Sequence, residues 1–323
     1  MRARGERRRQ PRSSGRSRLS GSTRRRLRGE LSEVAVAYLG PPGTFTEEAL
    51  RASMQRIVGD DVAVLELAMA SERDIVEAVA EGRARYGVMA IENALEGGVA
   101  ATLDALAELA DRVAIKLEVV HPISHCLVSR TALPLAEVTR VYSHPLATAQ
   151  CGKFLRRMLP AAERVHCAST AEAVRTVVAS TQPWAALGSE LAAERYGATI
   201  LARDVADHPD NETRFVWVEP RAEHQPAANG NEVKTSVVFW GGGDEQPGWL
   251  VSVLGEFASR GINLTRIESR PRRIGLGHYM FFCDLEGSPR ERRVADALAA
   301  LTGRVEELRV LGSYPVLRTR AAE

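Results

Sequence analysis

Short apolar runs alternate along this chain with longer stretches in which apolar residues recur every three or four positions. The run at 34–39 predicts a buried strand, and a helix-type pattern follows from Thr44. The same alternation continues to about residue 220 without an internal repeat. It predicts an α/β fold with mostly parallel sheets. Because one sheet rarely needs so long a stretch, we expect two lobes with a site between them.

A second unit with a different order of elements follows a polar segment. Residues 221–231, with Glu, His, Gln, Pro, Asn and Gly, predict a linker. Beyond it, four strand patterns and two helix patterns follow one another in the order βαββαβ, at 233–240, 248–260, 262–270, 278–285, 290–301 and 305–311. This order predicts a ferredoxin-like domain over 232–315 and a short tail at 316–323.

The first 33 residues have a different composition from the rest of the chain. They contain mainly Arg, Ser and Gly with almost no apolar periodicity, which predicts a disordered Arg-rich tail. A transit peptide and an arm for nucleic acid or an anionic surface are alternatives. A start codon assigned too far upstream is the interpretation that we favour, because the fold pattern begins abruptly at Val34.

Charge and cysteine content exclude several classes of protein. Residues 1–30 hold twelve Arg and two Glu, so the net charge of +2 leaves −8 for the remainder, and we expect no nucleic-acid partner. No apolar run is long enough to span a bilayer, so we expect no membrane partner. The four cysteines lack zinc spacing, which predicts free thiols in a reducing cytoplasm and no metal site.

The segment 207–218 is the strongest candidate for the chemistry. Turn-forming residues at 207–211 lead into a β-branched and aromatic run that begins at Thr213 and predicts a strand. Side-chain alternation would place Thr213 and Phe215 on one face and Arg214 on the other. A hydroxyl donor and an aromatic ring would then face one cleft. A polar turn entering an ordinary strand is the alternative.

Polar residues also follow several other predicted strands. Thr44 and Glu47 form a capping box after a Gly-rich turn at 40–43 and would present backbone N–H groups to an anion. Glu92 and Asn93 end a buried strand, where ligands of α/β sheets bind. Ser or Thr begins three more helices, at 143, 169–170 and 189. N-capping explains any one of these alone, but together they would suit a small polyanion.

The order of these motifs resembles that of bacterial prephenate dehydratases, in which a catalytic domain precedes an ACT domain. The resemblance covers residues 34 to about 314. It rests on the motifs Gly40-Pro41-Pro42-Gly43-Thr44-Phe45, Ile91-Glu92-Asn93, Tyr142-Ser143-His144-Pro145 with Gln150-Cys151, Ser169-Thr170-Ala171, Asn211-x-Thr213-Arg214-Phe215 and Glu268-Ser269-Arg270-Pro271.

The resemblance implies a fold, a reaction and partners. Residues 34–220 would form a two-lobed α/β catalytic domain with periplasmic-binding-protein architecture, and residues 232–315 a ferredoxin-like ACT regulatory domain. The reaction would be the decarboxylating dehydration of prephenate to phenylpyruvate, in phenylalanine biosynthesis, without a cofactor. L-Phenylalanine would be the feedback effector. The enzyme would be a cytoplasmic homodimer or homotetramer.

The resemblance also assigns roles to residues. Thr213 would be catalytic, and Glu92 would be a second catalytic group or would only hold Asn93 or a backbone donor. The substrate would be bound by Thr44, Phe45, Asn93, Ser143, Gln150, Ser169, Thr170, Asn211, Arg214 and Phe215. The effector phenylalanine would be bound, at a subunit interface, by Gly248, Trp249, Leu250, Asn263, Glu268, Ser269, Arg270 and Pro271.

Two departures from the family pattern and two rival functions stay open. Trp249 stands where a small Ala is common, which affects the effector pocket, and Ala94 stands where Ser or Thr is common. A small-molecule sensor is one rival, since two-lobed α/β units are typical of solute-binding proteins. Arogenate dehydratase is the other, and the sequence does not distinguish its substrate from prephenate.

Overall fold

The computed structural model describes residues 33–59, 62–227, 232–243 and 245–319. The predicted Arg-rich tail lies outside these ranges except for Glu33, which already pairs with Ala63 in the first sheet. Residues 228–231 of the predicted linker and 320–323 of the predicted C-terminal tail also lie outside them. No helix in the described ranges is long and apolar enough to cross a membrane.

The first part of the chain alternates strands and helices as its apolar pattern predicts. The elements are β1 (Glu33–Leu39), α1 (Phe45–Val58), β2 (Ala63–Met69), α2 (Glu72–Ala80), β3 (Tyr86–Asn93), β4 (Gly97–Gly98), α3 (Ala100–Glu108) and β5 (Val113–Pro122). After β5 the chain crosses into a second sheet. Its elements are β6 (Cys126–Ser129), β7 (Arg140–Ser143), α4 (Pro145–Gln150), α5 (Gly152–Met158), β8 (Glu163–His166), α6 (Thr170–Ala179), β9 (Trp184–Gly188), α7 (Glu190–Tyr196) and β10 (Thr199–Ala202).

The chain then returns to the first sheet and builds a further domain. β11 (Glu212–Pro220) lies between β5 and β3, which completes lobe 1 (β1–β5 and β11) beside lobe 2 (β6–β10). The C-terminal domain comprises β12 (Val233–Trp240), α8 (Trp249–Ala258), β13 (Leu264–Pro271), β14 (Tyr279–Glu286), α9 (Arg292–Thr302) and β15 (Glu307–Arg318). The predicted two lobes and the predicted βαββαβ order are both confirmed.

The prediction of mostly parallel sheets was wrong. β1 is parallel to β2 and β3, and β7 is parallel to β8 and β9, as helical crossovers require. However, β11 is antiparallel to both β3 and β5, and β6 is antiparallel to β9 and β10. The cause is the double crossing between lobes, because a strand that returns from the other lobe enters its sheet from the opposite end.

The C-terminal domain is not a separate body joined by a free linker. Arg221 donates to the carbonyls of Ala110 at 2.9 Å and Val310 at 2.7 Å, so the start of the predicted linker is bound to both units. β15 continues to Arg318, into the predicted tail, and pairs with β5. One sheet therefore runs in the order β13-β14-β12-β15-β5-β11-β3-β1-β2.

A glycine allows this junction. A Cβ atom on Gly312 would lie 2.4 Å from the carbonyl oxygen of Ile115, so any larger residue would push β15 away from β5. Behind the junction, a single buried cluster joins Ile75, Leu103 and Val216 of lobe 1 to Phe282 and Tyr314 of the C-terminal domain. The C-terminal domain therefore packs directly against the part of the chain that carries the polar segment at 211–214.

Candidate active site

A cleft of about 570 Å³ lies between lobe 1 and lobe 2. The chain crosses between the lobes twice beside it, at 123–125 and at 203–211. Strand ends, helix starts and the first crossing contribute to the wall, which is lined by Thr44, Phe45, Thr46, Ala90, Asn93, Glu96, Gly97, Gly98, Val99, Ile123, His125, His144, Leu146, Ala147, Gln150, Ala168, Ser169, Thr170, Thr213 and Phe215.

The structure brings together eight of the twelve residues predicted to be catalytic or substrate-binding. Those that line the cleft are Thr44, Phe45, Asn93, Gln150, Ser169, Thr170, Thr213 and Phe215. Thr213 and Phe215 share the cleft face of β11, as strand alternation predicted. Phe45, Ile123 and Phe215 make part of the wall apolar. A flat, partly apolar ligand with polar ends therefore fits this cleft.

Thr213 lies opposite Asn93 in the β11–β3 pair, and their side chains are hydrogen-bonded. The Oδ1 atom of Asn93 accepts the backbone N–H groups of Leu95 at 3.0 Å and Glu96 at 3.1 Å. Its Nδ2 must therefore be the atom that donates to Thr213 Oγ1, at 2.8 Å. Since Thr213 is the acceptor in that bond, its own hydroxyl proton stays available to a ligand in the cleft.

A second hydrogen-bonded chain extends from Asn93 across the cleft. Asn93 Nδ2 donates to Asn211 Oδ1 at 2.9 Å, and Asn211 Nδ2 donates to Gln150 Oε1 at 3.2 Å. Gln150 Nε2 donates to Glu96 Oε1 at 3.3 Å. Asn211 itself is buried, so it supports Asn93 and Gln150 from behind and does not line the cleft as predicted. Gln150 belongs to lobe 2, so this chain holds the two lobes in register.

His125 is a site residue that the sequence did not reveal, since it sits in an extended segment without a motif. Gln150 Oε1 is an acceptor, so His125 Nε2, at 3.2 Å from it, carries the proton. Burial lowers the pKa of His125, against smaller opposing effects of Gln150 and Glu48. The ring also packs edge-on against Phe45, with centroids 5.2 Å apart. His125 is therefore a neutral donor that orients Gln150.

Glu92 and Arg214 were predicted to take part in the site, but the structure places both on the opposite face of the sheet. Arg214 Nη1 contacts Glu92 Oε2 at 2.5 Å, and Nη2 contacts Glu118 at 2.5 Å and Asp284 at 2.7 Å. The register between β11 and β3 shifts between Arg214 and Phe215. Because of this bulge, Glu92 turns toward the C-terminal domain, where it balances arginines and does not contact a substrate.

Ser143 was predicted to bind the substrate, but it does not line the cleft. Its side chain is fully buried, and its Oγ has no hydrogen-bond partner among the residues described. The neighbouring His144 lines the cleft instead and caps α4, with Nδ1 accepting the N–H of Leu146 at 3.3 Å. Burial lowers the pKa of His144, and the charge of His166 adds to the effect. At neutral pH His144 is therefore uncharged.

Helix starts provide the anion-binding groups of the cleft. Thr44 caps α1 by accepting the N–H of Glu47, and Ser169 caps α6 by accepting that of Glu172 at 3.0 Å. The capping explanation of these residues is thus confirmed. The carboxylate of Glu47, however, accepts the backbone N–H of Gly43, at 2.6 Å, and not that of Thr44. The remaining first-turn amides of α1 and α6 have no acceptor within their helices and can bind a carboxylate.

Charge in the cleft is unevenly distributed. Within the described ranges no Lys or Arg lines it, so backbone dipoles and hydroxyl groups must hold an anion. Glu96 is the carboxylate on the wall, and it lies in the β3–β4 turn beside Asn93 and Gln150. A carboxylate repels anionic groups, so an anionic ligand is disfavoured at this part of the wall and favoured at the helix starts. No sequence motif marked Glu96, because only the fold brings it to the cleft.

The predicted effector residues divide into two groups within one chain. Gly248, Trp249 and Leu250 line a cavity of about 270 Å³ together with Tyr279 and Phe281. Asn263 lies elsewhere and donates to Glu286 at 3.1 Å. The ring of Trp249 packs between Phe239 and Phe281 and donates to the carbonyl of Arg304 at 3.1 Å. The bulky ring is therefore a wall of this cavity and does not plug it.

The second predicted effector motif does not reach that cavity. On β13, Glu268 and Arg270 face lobe 1. There Arg270 donates hydrogen bonds to both carboxylate oxygens of Asp104, at 3.1 and 2.8 Å. Ser269 and Pro271 are exposed on the edge strand. Within one chain none of the four motif residues lines the cavity, although Ser269 pairs with Phe281 and Pro271 with Tyr279, which both line it. The effector site at a subunit interface stays a prediction.

A two-lobed α/β domain with a polar cleft, joined through one sheet to a ferredoxin-like domain, defines an enzyme with an attached regulatory domain. The family described as prephenate dehydratase matches residues 36–223, and the ACT domain family matches residues 241–303. The chain belongs to the prephenate dehydratase family.

Relatives in this family are similar over nearly the whole chain. A prephenate dehydratase of Mycolicibacterium vanbaalenii is 41% identical over 288 residues, which cover 87% of this chain and 90% of the relative. The crystal structure of prephenate dehydratase in complex with L-Phe from Arthrobacter aurescens has a TM-score of 0.77 and 38% identity, covering 87% and 90%. GqqA, described as a novel type of quorum quenching acylase, has a TM-score of 0.75 and 30% identity, covering 87% and 98%.

Proposed function

We propose that this chain converts prephenate to phenylpyruvate, with loss of carbon dioxide and water, in the cleft between its two lobes. The observation that carries the proposal is the Thr213 hydroxyl, which accepts from Asn93 and presents its own proton to the cleft. Membership of the prephenate dehydratase family supports this reaction, and the relative from Mycolicibacterium vanbaalenii is described as a prephenate dehydratase.

The reaction needs orientation and a well-placed donor. As the bond between the ring and its carboxylate breaks, the electron pair moves through the ring and expels the ring hydroxyl, which leaves as water after gaining a proton. Thr213 would donate a hydrogen bond to that hydroxyl as negative charge develops on it. Asn93 offers only amide hydrogens, so the proton consumed must come ultimately from solvent.

The rest of the cleft would orient the substrate. We assign the retained pyruvyl carboxylate to the first-turn amides of α1 and α6, beside Thr44 and Ser169. The ring and its departing carboxylate would face the apolar wall of Phe45, Ile123 and Phe215, which favours loss of neutral carbon dioxide. The negative charge of Glu96 would oppose the reversed orientation, in which the pyruvyl carboxylate would lie beside Glu96.

The choice between prephenate and arogenate is tested by comparing the two kcat/KM values. Arogenate replaces the keto oxygen by an ammonium group, for which the cleft offers Glu96 as the carboxylate partner among its lining residues. In the orientation assigned above, however, the ammonium group would lie next to the retained carboxylate at the helix starts, whose positive ends disfavour a cation, and away from Glu96, so we expect prephenate to be preferred. A higher kcat/KM for arogenate would reassign the substrate while keeping the reaction class.

An acylase function is the rival suggested by GqqA, and a sensor function is the other. A Thr nucleophile would need a base to take its proton, but Thr213 contacts the amide of Asn93, which is no base. The test is to measure hydrolysis of an N-acyl amide by the wild type and by Thr213→Val. If both hydrolyse it, the acylase reaction does not use Thr213. Absence of turnover with tight prephenate binding would favour the sensor.

We propose phenylalanine as the effector, at the cavity walled by Trp249. Trp249→Ala is expected to weaken phenylalanine binding about 2- to 10-fold, because one aromatic contact is worth roughly 0.5–1.5 kcal/mol. Calorimetry on the full chain measures this. Trp240→Ala is the matched control, since Trp240 lines a different cavity, beside Arg272 and Arg309. Unchanged or tighter binding by Trp249→Ala would show that the ring does not contact the effector.

Assembly and location stay predictions. The edge strand β13 exposes Ile267, and Val251 and Tyr279 are exposed at the cavity walled by Trp249, so a second subunit that covers these apolar residues would complete the effector site. We propose a homodimer or homotetramer on this basis. The cysteines Cys126, Cys151, Cys167 and Cys283 are free, and three are buried, which is consistent with the proposed cytoplasmic location.

A further inference from the structure

Sequence neighbours at the active site point to opposite faces of one sheet. Thr213 and Asn93 face the cleft, whereas the adjacent Arg214 and Glu92 face the ACT domain. Arg214 reaches Glu92 on β3, Glu118 on β5 and Asp284 on β14. A single guanidinium therefore ties together the three neighbouring strands of lobe 1 and one strand of the ACT domain.

At this end of β11 the backbone ladder is interrupted on the side of β3, whereas on the side of β5 it is continuous from Glu212 to Trp217. Thr213 pairs with Asn93 and Arg214 with Glu92, but Phe215 pairs with Ala90, so one residue of β3 is skipped. A bulge disrupts the ladder locally and lets a strand bend. The bulge is next to the ion pair of Arg214 with Glu92, so this ion pair links β11 to β3 beside the interruption.

The ACT domain supplies the charges that complete the cluster. Lobe 1 alone would place two carboxylates, the buried Glu118 and the partly exposed Glu92, around the single cation Arg214. Lys234 takes the other oxygen of Glu118 at 2.7 Å, and Arg266 lies 3.8 Å from Glu92 while also pairing with Glu268. Asp284 then becomes the partner by which the ACT domain holds Arg214.

Asp284 is itself rigidly held. It is almost fully buried, and its second oxygen accepts from Ser236 Oγ at 2.5 Å, which in turn contacts the hydroxyl of Tyr314 at 2.5 Å. The Nε atom of Arg214 is buried without a hydrogen-bond partner among the residues described. The carboxylates alone therefore set the orientation of the guanidinium, and loss of one of them lets it turn.

We propose that Asp284 of the ACT domain is a positioning residue for Thr213, acting through Arg214. This inference rests on the proposed catalytic role of Thr213. When Asp284 holds Arg214, the end of β11 is fixed against β3, and the Thr213 hydroxyl stays aligned with the leaving group. A displacement of the ACT domain that releases Arg214 moves the donor without touching the cleft.

The test is a double-mutant cycle on the full chain with Asp284→Asn and Thr213→Val, assayed on prephenate below the melting temperature of each variant. Asparagine keeps the size of Asp284 and removes its charge. Asp284→Asn is expected to lower kcat about 10- to 100-fold with KM nearly unchanged, because a small misplacement of a catalytic group has effects of this size. In the Thr213→Val background the same change is expected to cause no further loss.

Thr235→Val is the matched control. Thr235 is buried in the same ACT sheet and donates to the carbonyl of Gly287 at 2.7 Å, so its loss weakens the domain without touching Arg214. Its kcat is expected to equal that of the wild type. If Asp284→Asn does not fold, Asp284→Glu keeps the charge but shifts it by one methylene, and an intermediate loss of kcat with the same non-additivity is expected.

Two results would overturn the proposal. A full kcat in Asp284→Asn would show that Thr213 does not depend on this contact. An equal loss in both backgrounds would show that Asp284 acts on something other than Thr213. Failure of the proposed catalytic role is a different result, because Thr213→Val alone would then keep its turnover.

Discussion

Thr213→Val is expected to lower kcat for prephenate about 10²- to 10³-fold, the usual effect of removing one transition-state donor. Valine keeps the β-branched shape that fits β11, so the strand and its neighbours should fold unchanged. The Asn93 amide loses one acceptor but keeps Asn211 at 2.9 Å. KM should change little, because the carboxylate is assigned to helix starts. Steady-state kinetics with melting curves as the folding control measure this.

Thr213→Ser provides the comparison within that experiment. Serine keeps the hydroxyl but loses the methyl group that restricts its rotamer, so its loss of kcat should be smaller than that of valine. A valine variant at least as active as the serine variant would remove the Thr213 hydroxyl from the mechanism.

Arg214→Met is expected to reduce the free energy of unfolding by about 3–5 kcal/mol, since the buried Asp284 loses its directly paired cation and the buried Glu118 keeps only Lys234. Glu118 and Asp284 are both almost fully buried. Burial alone would raise the pKa of Asp284, but Arg214, Ser236 and Arg266 outweigh it and hold the pKa below its ordinary value. The ion pair of Asp284 therefore stabilises the fold fully above the ordinary pKa of Asp. This stabilisation is lost as the pH falls through the lower pKa that Asp284 has in the folded protein. The difference in the free energy of unfolding between the wild type and Arg214→Met should therefore become smaller in acid.

Arg83→Met is the matched control for urea unfolding. Arg83 pairs with Glu81 at 2.8 Å, but about half of each side chain is exposed, so its loss should cost only about 0–1 kcal/mol. Equal losses of stability in the two variants would contradict a special contribution from the buried cluster.

Local patterns predicted the parts of the site that depend on local structure. The period of two along β11 placed Thr213 and Phe215 toward the cleft and Arg214 away from it. The capping pattern located the start of α1 at Thr44, because a cap involves only the next turn. The βαββαβ order of the C-terminal domain followed from its apolar runs in the same way.

Features that depend on long-range register were not predictable from the chain. Glu92 follows a buried strand and was therefore expected at the sheet edge in the cleft, but a bulge against β11 turns it to the other face. Arg270 was assigned to the effector by the family resemblance, and nothing local indicated that α3 would bring Asp104 to it. The pairing of β15 with β5 is likewise visible only once both domains are folded.

Residues reached through tertiary contacts were missed for the same reason. His125 and Glu96 enter the cleft because two crossings between the lobes and a turn bring them to Gln150. His144 was part of a recognised motif, yet only the start of α4 decides that His144, and not Ser143, lines the cleft. Side-chain direction at a strand-to-helix junction depends on where the strand ends, and sequence places such ends within a few residues.

The most direct test of the proposed reaction is to incubate the purified chain with prephenate at neutral pH and measure phenylpyruvate and carbon dioxide in the same sample. One molecule of each product per molecule of prephenate is expected, at a rate that saturates with substrate and falls about 10²- to 10³-fold in Thr213→Val. Phenylpyruvate formation no faster than in the buffer blank, or an undiminished rate in Thr213→Val, would contradict the assignment of the dehydratase reaction to this cleft.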